Sequence, residues 1–282
     1  MTHLEGTFKG IREADIYYQA WIPEGVTRSV LVVVHGLAEH CGRYGNLVNY
    51  FVPRGYAVWG VDHPGHGKSA GRRVYVDRFN DYTETLQRFF DLVRSHHPRQ
   101  SLFLVGHSLG GLIASSYLLD HQAGLTGAVL SGPVVKIPEN ISPGVIFLGK
   151  ILSAFVPTMR LVGLQAQGIC RDPAVVQAYL DDPLVFKGKT TARLGAEMLK
   201  AMERVSSQAV KIVLPVLIVQ GSADLLVNPD GARMLYEKIG SRDKKILVYE
   251  GFFHEVFNEP EHLKVMGDLE EWLEGHQASG GK

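Results

Sequence analysis

Six short apolar runs, at residues 30–34, 57–61, 102–105, 128–130, 216–219 and 246–249, show no polar alternation and end in turn-forming residues. Continuous apolarity over so few residues suits strands buried on both faces, as in a parallel sheet covered by helices. Between the runs lie patterns of helical period, at 46–54, 79–95, 111–121, 229–239 and 261–275. Strand and helix in alternation predict an α/β domain with a mostly parallel sheet. The opening segment, 7–23, differs: Gly10 separates two short strand-like pieces, which predicts an antiparallel edge hairpin. From Pro133 to about Ser207 the strand signal vanishes and helical patterns with scattered Pro and Gly take over. The predicted division is therefore a core of residues 1–132 and 208–282 with a helical lid at 133–207. No internal repeat is present, and the small, polar residues 277–282 predict a frayed tail.

Composition narrows the function. Lysine plus arginine equal aspartate plus glutamate at 29 each, so the formal net charge is zero. No basic field is available to hold nucleic acid. Residues 1–12 lack the apolar core of a signal peptide. The most apolar stretch, 145–164, is broken by Lys150, Pro157 and Arg160 and falls short of a membrane span. Cys41 and Cys170 are too few for a disulfide framework and have no ligand partners at metal spacing, so free thiols in a cytoplasmic protein are expected.

The chemistry concentrates at three strand ends. Residues Gly106, His107, Ser108, Leu109 and Gly110 follow the run at 102–105 and precede a helical pattern, the context of a nucleophile elbow. The turn brings the chain before and after Ser108 so close that only glycine leaves room. It also sets Ser108 at a helix N-terminus, where unpaired N–H groups favour developing negative charge. Leu109 N–H is one expected oxyanion donor. The second is Leu37 N–H, in the loop His35-Gly36-Leu37-Ala38-Glu39-His40 that follows an earlier strand.

A serine hydroxyl needs an imidazole to take its proton, and the imidazole needs a carboxylate to fix its tautomer. Asp224 lies just beyond the run at 216–219, and His254 in the loop after 246–249. The order Ser, acid, His is the one this topology uses. Asp230 fits the first turn of a helix, Asp243 follows a Ser-Arg turn, His96 and His97 suit a surface helix end, and His63 and His66 sit in a turn-rich loop. None of these occupies the required chain position.

These motifs resemble the α/β-hydrolases, and within them the monoacylglycerol lipase or lysophospholipase branch. The resemblance rests on His35-Gly36-Leu37-Ala38-Glu39-His40, Arg43-Tyr44, Asp62-His63-Pro64-Gly65-His66-Gly67-Lys68-Ser69, Gly106 to Gly111, Asp181-Asp182-Pro183-Leu184, Gly221-Ser222-Ala223-Asp224 and His254-Glu255. It implies an α/β-hydrolase fold with a mostly parallel eight-stranded sheet flanked by helices, and a lid over an apolar acyl tunnel. It also implies ester hydrolysis through an acyl-serine intermediate, with a lipid ester as substrate and no metal or organic cofactor. Glu39, Arg43 and Tyr179 match positions near the polar end that receives the alcohol; Glu39 and Arg43 equally suit a role in holding the oxyanion loop. Phe257 stands where some relatives carry a second histidine beside the head group.

Apolar residues on several faces of the lid, including Val145, Phe147, Ile151, Phe155, Met159 and Val162, are expected to be shared between packing and a tunnel or lipid surface, with transient membrane contact. Each buried acyl methylene contributes about 0.8 kcal/mol. Lysophospholipase or general carboxylesterase activity is the alternative within enzymes, and a ligand-binding sensor the alternative outside them. Dehalogenases and epoxide hydrolases of this fold use an aspartate nucleophile, whereas position 108 is serine. Proline-specific peptidases carry H-G-G-P-G where Leu37 and Ala38 stand.

Overall fold

A computed structural model describes residues 1–137, 143–163 and 165–277, without the side chains of 143, 145–148 and 150. Eight strands form the main sheet: β1 (Thr2–Lys9), β2 (Asp15–Ile22), β3 (Ser29–Val34), β4 (Tyr56–Val61), β5 (Ser101–His107), β6 (Gly127–Ser131), β9 (Val216–Gly221) and β10 (Lys244–Tyr249). Their spatial order is β1-β2-β4-β3-β5-β6-β9-β10. Only the β1–β2 and β2–β4 pairings are antiparallel, so β2 alone runs against the rest of the sheet.

The continuous apolarity of the central runs has a direct structural reading. In β3, Val30, Val32 and Val34 enter one core cluster, while Leu31 and Val33 enter the cluster on the opposite face. Successive strand side chains point to opposite faces, so both faces must be apolar when both are covered. The first face is covered by α2 (Asn80–His96), α3 (Leu109–His121) and α6 (Ala192–Gln208), and the second by α1 (Gly45–Phe51) and α8 (His262–His276).

The strand order also fixes where a site can form. From β3 the chain moves to β4 on one side, then returns to β5 on the other, so β3 and β5 flank the point where the winding reverses. Connections diverge there and leave a crevice at the strands' C-terminal ends. The register pairs Val34 with Gly106, setting the loop after β3 beside the turn that carries Ser108.

Three expectations change. The edge hairpin begins at Thr2 rather than Thr7, because β1 is mostly exposed and carries a polar-rich pattern that gives little strand signal. The region 133–207 holds α4 (Pro143–Phe155), α5 (Pro173–Asp181) and α6, but also two short antiparallel strands, β7 (Arg160–Gly163) and β8 (Lys189–Thr191). Both are largely exposed, so no buried face imprints a period on their sequence. His96 ends α2 as expected, but His97 is buried and accepts a hydrogen bond from Trp59 Nε1 at 3.0 Å. Cys41 and Cys170 are buried free thiols. Asp230 opens α7 (Asp230–Lys238), and the Asp243 N–H donates to Ser241 Oγ. Among the described residues no helix is long and apolar enough to cross a membrane. The expectations for the side chains of Val145, Phe147 and their neighbours, and for residues 278–282, lie outside the described residues.

Candidate active site

Ser108 sits between β5 and α3 with φ 56° and ψ −118°, a conformation that a non-glycine residue holds only under strain of about 1–3 kcal/mol. Its N–H donates to Ser131 O, while its carbonyl accepts from Gly111 N and Val134 N. The flanking glycines are required by contact. A Cβ at Gly110 would lie 1.9 Å from Val34 O, and one at Gly106 would lie 2.5 Å from Gly110 O.

Across the crevice, His254 Nδ1 lies 2.7 Å from Asp224 Oδ2. The Asp224 carboxylate also accepts from Gln220 Nε2 and from the N–H groups of Leu226 and Val227. Burial raises its pKa, but the bonds from His254 and these N–H groups prevail and hold it below the ordinary aspartate value. An ionised acid facing Nδ1 selects the tautomer that leaves His254 Nε2 free to accept a proton. Gly132 keeps space for this ring, since a Cβ there would come within 3.1 Å of His254 Nδ1.

Ser108, His254, Leu37 and Tyr179 line one recess, with Ile169 and Leu226. Its free volume is about 10 Å³, room for no more than about one water molecule. Leu109 opens α3, where helix geometry leaves its N–H without an intrahelical acceptor. Among the described residues, neither that N–H nor the one of Leu37 has a protein acceptor.

The loop carrying Leu37 is held from two sides. Glu39 Oε1 accepts from Gly36 N at 2.6 Å and from Tyr44 OH at 3.0 Å. Beneath it, the His63 N–H donates to His35 Nε2, which puts the His35 proton on Nδ1, where it donates to Gly36 O at 2.7 Å. The Asp62-to-Ser69 motif supports this arrangement: Asp62 accepts from Cys41 N and Lys68 N, and Ser69 Oγ donates to Asp62 O.

Glu39 is buried, Arg43 is nearly so, and both are already partnered. Arg43 donates to Glu39 at 2.7 Å and, through both terminal nitrogens, to Glu255 at 2.7 and 2.9 Å. The guanidinium also lies 4.7 Å from the ring centre of Tyr179. One arginine thus joins the loop that carries Leu37, the residue after His254, and α5. Burial raises the Glu39 pKa, whereas Glu255 is lowered because its pairing with Arg43 outweighs the cost of burial. Glu255 was not singled out as a functional residue from the sequence, although its adjacency to His254 was visible. Its partner Arg43 lies 212 positions away in the chain. Phe257 borders a second small void beside Glu39, Arg43 and Glu255. His107 is buried with its ring centre 4.7 Å from that of His254, and burial, with the neighbouring imidazole of His254, pushes its pKa down to about 3. Among the described residues, no group of three or more His, Cys, Asp and Glu is arranged to hold a metal ion.

A strained serine between two obligatory glycines, lining the same recess as an acid-bound imidazole at the switch point of a doubly covered sheet, fits the α/β-hydrolase class. Comparison with known proteins agrees. A family model described as serine aminopeptidase, S33, matches residues 25–261. A monoacylglycerol lipase of Mycolicibacterium smegmatis is 34% identical over 275 residues, covering 98% of each chain. A monoglyceride lipase of Mus musculus is 32% identical over 269 residues, covering 94% of this chain and 89% of its own. The crystal structure of the Paleococcus ferrophilus monoacylglycerol lipase superposes with a TM-score of 0.80 at 31% identity, covering 98% of this chain and all of the other. The chain belongs to the α/β-hydrolase superfamily of serine ester hydrolases, in the branch that holds the monoacylglycerol lipases.

Proposed function

We propose that the chain hydrolyses monoacylglycerols to fatty acid and glycerol. Ser108 Oγ attacks the ester carbonyl as His254 Nε2 takes its proton, and Asp224 stabilises the imidazolium that forms. The N–H groups of Leu37 and Leu109 receive the developing oxyanion, each of them worth roughly a hundredfold to a thousandfold in rate. His254 then protonates the leaving glycerol oxygen. Water, deprotonated by the same imidazole, releases the fatty acid from Ser108. The observation that carries this reading is the 2.7 Å contact of His254 Nδ1 with Asp224, across a recess that Ser108 lines. The substrate class comes from the names of the relatives.

Residues 133–207 act as a lid in this proposal. The recess that Ser108 lines is small, so movement of part of the lid would open it to an acyl chain. Phe155, Val156, Met159 and Val162 are exposed there and suit contact with a lipid surface. Tyr179 and Glu39 both line the recess where the alcohol would sit, and Glu39 with Arg43 also holds the oxyanion loop. A panel of monoacylglycerols, lysophospholipids and short p-nitrophenyl esters tests the reading. Hydrolysis of long-chain monoacylglycerols is expected, and activity confined to acetyl and butyryl esters would reject the substrate class while leaving the triad intact.

A further inference from the structure

Away from the recess, a cleft of about 380 Å³ opens where the start of α2 meets α3 and α6. Its lining carries four cationic side chains, Arg78, Arg193, Lys200 and Arg204, against two anionic ones, Asp77 and Glu197. Most of these charges are already matched. Lys200 pairs with Glu197 at 2.7 Å, Arg204 with Asp120 at 2.7 Å, and Asp77 with Arg12 at 2.8 Å. Glu197 also accepts from the Phe79 N–H. Arg78 and Arg193 have no acidic partner among the described residues, so two positive charges remain uncompensated at one cleft.

The floor carries a second, independent signal. Ser116 is 2% exposed and lines the cleft, yet its Oγ has no hydrogen-bond partner. Buried Arg193 Nε is likewise unpartnered. Leaving a buried polar atom unsatisfied is costly, so such atoms usually serve a ligand or ordered water. Neighbouring Ser115 shows the ordinary solution, donating to Gly111 O at 2.7 Å.

We propose that this cleft binds a phosphate monoester. Two guanidinium forks match the charge and the planar recognition of a phosphate dianion, and the Ser116 hydroxyl, lining the same cleft, supplies a neutral donor. The catalytic residues lie at the other end of α3, so the cleft is separate from the hydrolytic site.

The test is titration calorimetry on the full chain at constant ionic strength with three probes: inorganic phosphate, glycerol 3-phosphate, and phosphatidylcholine vesicles doped with phosphatidic acid. Saturable binding of either soluble probe is expected, weakened about tenfold or more in R193Q and again in R78Q/R193Q, since each substitution removes a charge-assisted hydrogen bond. S116A should weaken it by a few-fold. Saturable binding to the vesicles alone, lost in R193Q, supports the same chemistry and identifies a lipid head group as its source. Turnover of a short soluble ester should match the parent in all variants, which confirms folding. No saturable binding to any probe, or equal binding by the parent and R78Q/R193Q, would overturn the proposal.

Discussion

Residues 166–186 and 143–163 belong to the same insertion between β6 and β9, but different things hold them. The first segment is tied to both catalytic loops. Ile169 O accepts from Glu255 N at 2.7 Å, Arg171 Nε donates to the fully buried Glu259 carboxylate at 2.6 Å, and Cys170 Sγ donates to Asn258 O. On the other side, His40 pairs with Asp182 at 2.8 Å, and Phe186 N donates to Ala38 O at 2.8 Å. The second segment is held, in its described bonds, by the insertion itself: Ala192 N donates to Met159 O, Arg193 N to Pro157 O, and Arg160 to Lys189 O. It exposes Phe155 by 81% and Val162 by 69%. The first half is therefore fastened to the loops that carry Leu37 and His254, whereas the described bonds of the second half stay within the insertion.

Acid should give the largest effect, because the fixed side rests on buried neutral imidazoles. Burial pushes His63 and His107 down to about 3 and His66 to about 4, and His35 also lies well below the ordinary value. The unfolded chain then binds protons below about pH 6.5 that the folded chain refuses. Stability is complete above that pH and falls as pH drops toward 4, by about 1.4 kcal/mol per pH unit for each such group. Urea unfolding at stepped pH measures it; a flat profile between pH 7 and 5 would break the comparison.

R171A should come next. It leaves Glu259 buried without its cation and costs about 3 kcal/mol, and kcat should fall because the loop carrying His254 loosens. D182N should cost about 1 kcal/mol, since Asp182 is partly solvated. The smallest change in stability should come from F155S/V162S, within about 0.5 kcal/mol of the parent. There KM for micellar long-chain monoacylglycerol should rise several-fold, with soluble short esters unaffected. A large loss of stability in that double variant would mean the second half is scaffold as well.

How much of this was legible in the sequence depends on burial. Five of the six runs stood out because both faces of their strands are covered, and β10, a half-exposed edge strand, stood out by its apolar residues alone; Ser108, Asp224 and His254 stood out because each follows one of these runs. β1, β7 and β8 left no comparable trace because solvent, not core, faces them. The bridge from Glu39 through Arg43 to Glu255 was half visible: the first two residues matched motif positions, but only the fold brings Glu255 to them. The burial of His97 could not be read either, because His96-His97-Pro98 has the composition of a surface helix end.

Trapping the acyl-enzyme tests the central claim most directly. The parent and S108A are mixed with a slow-reacting long-chain ester, quenched and analysed by peptide mass spectrometry. An acyl mass on the peptide containing Ser108, absent together with turnover in S108A, is the predicted result. Acylation at another residue, or turnover that survives in S108A, would contradict it.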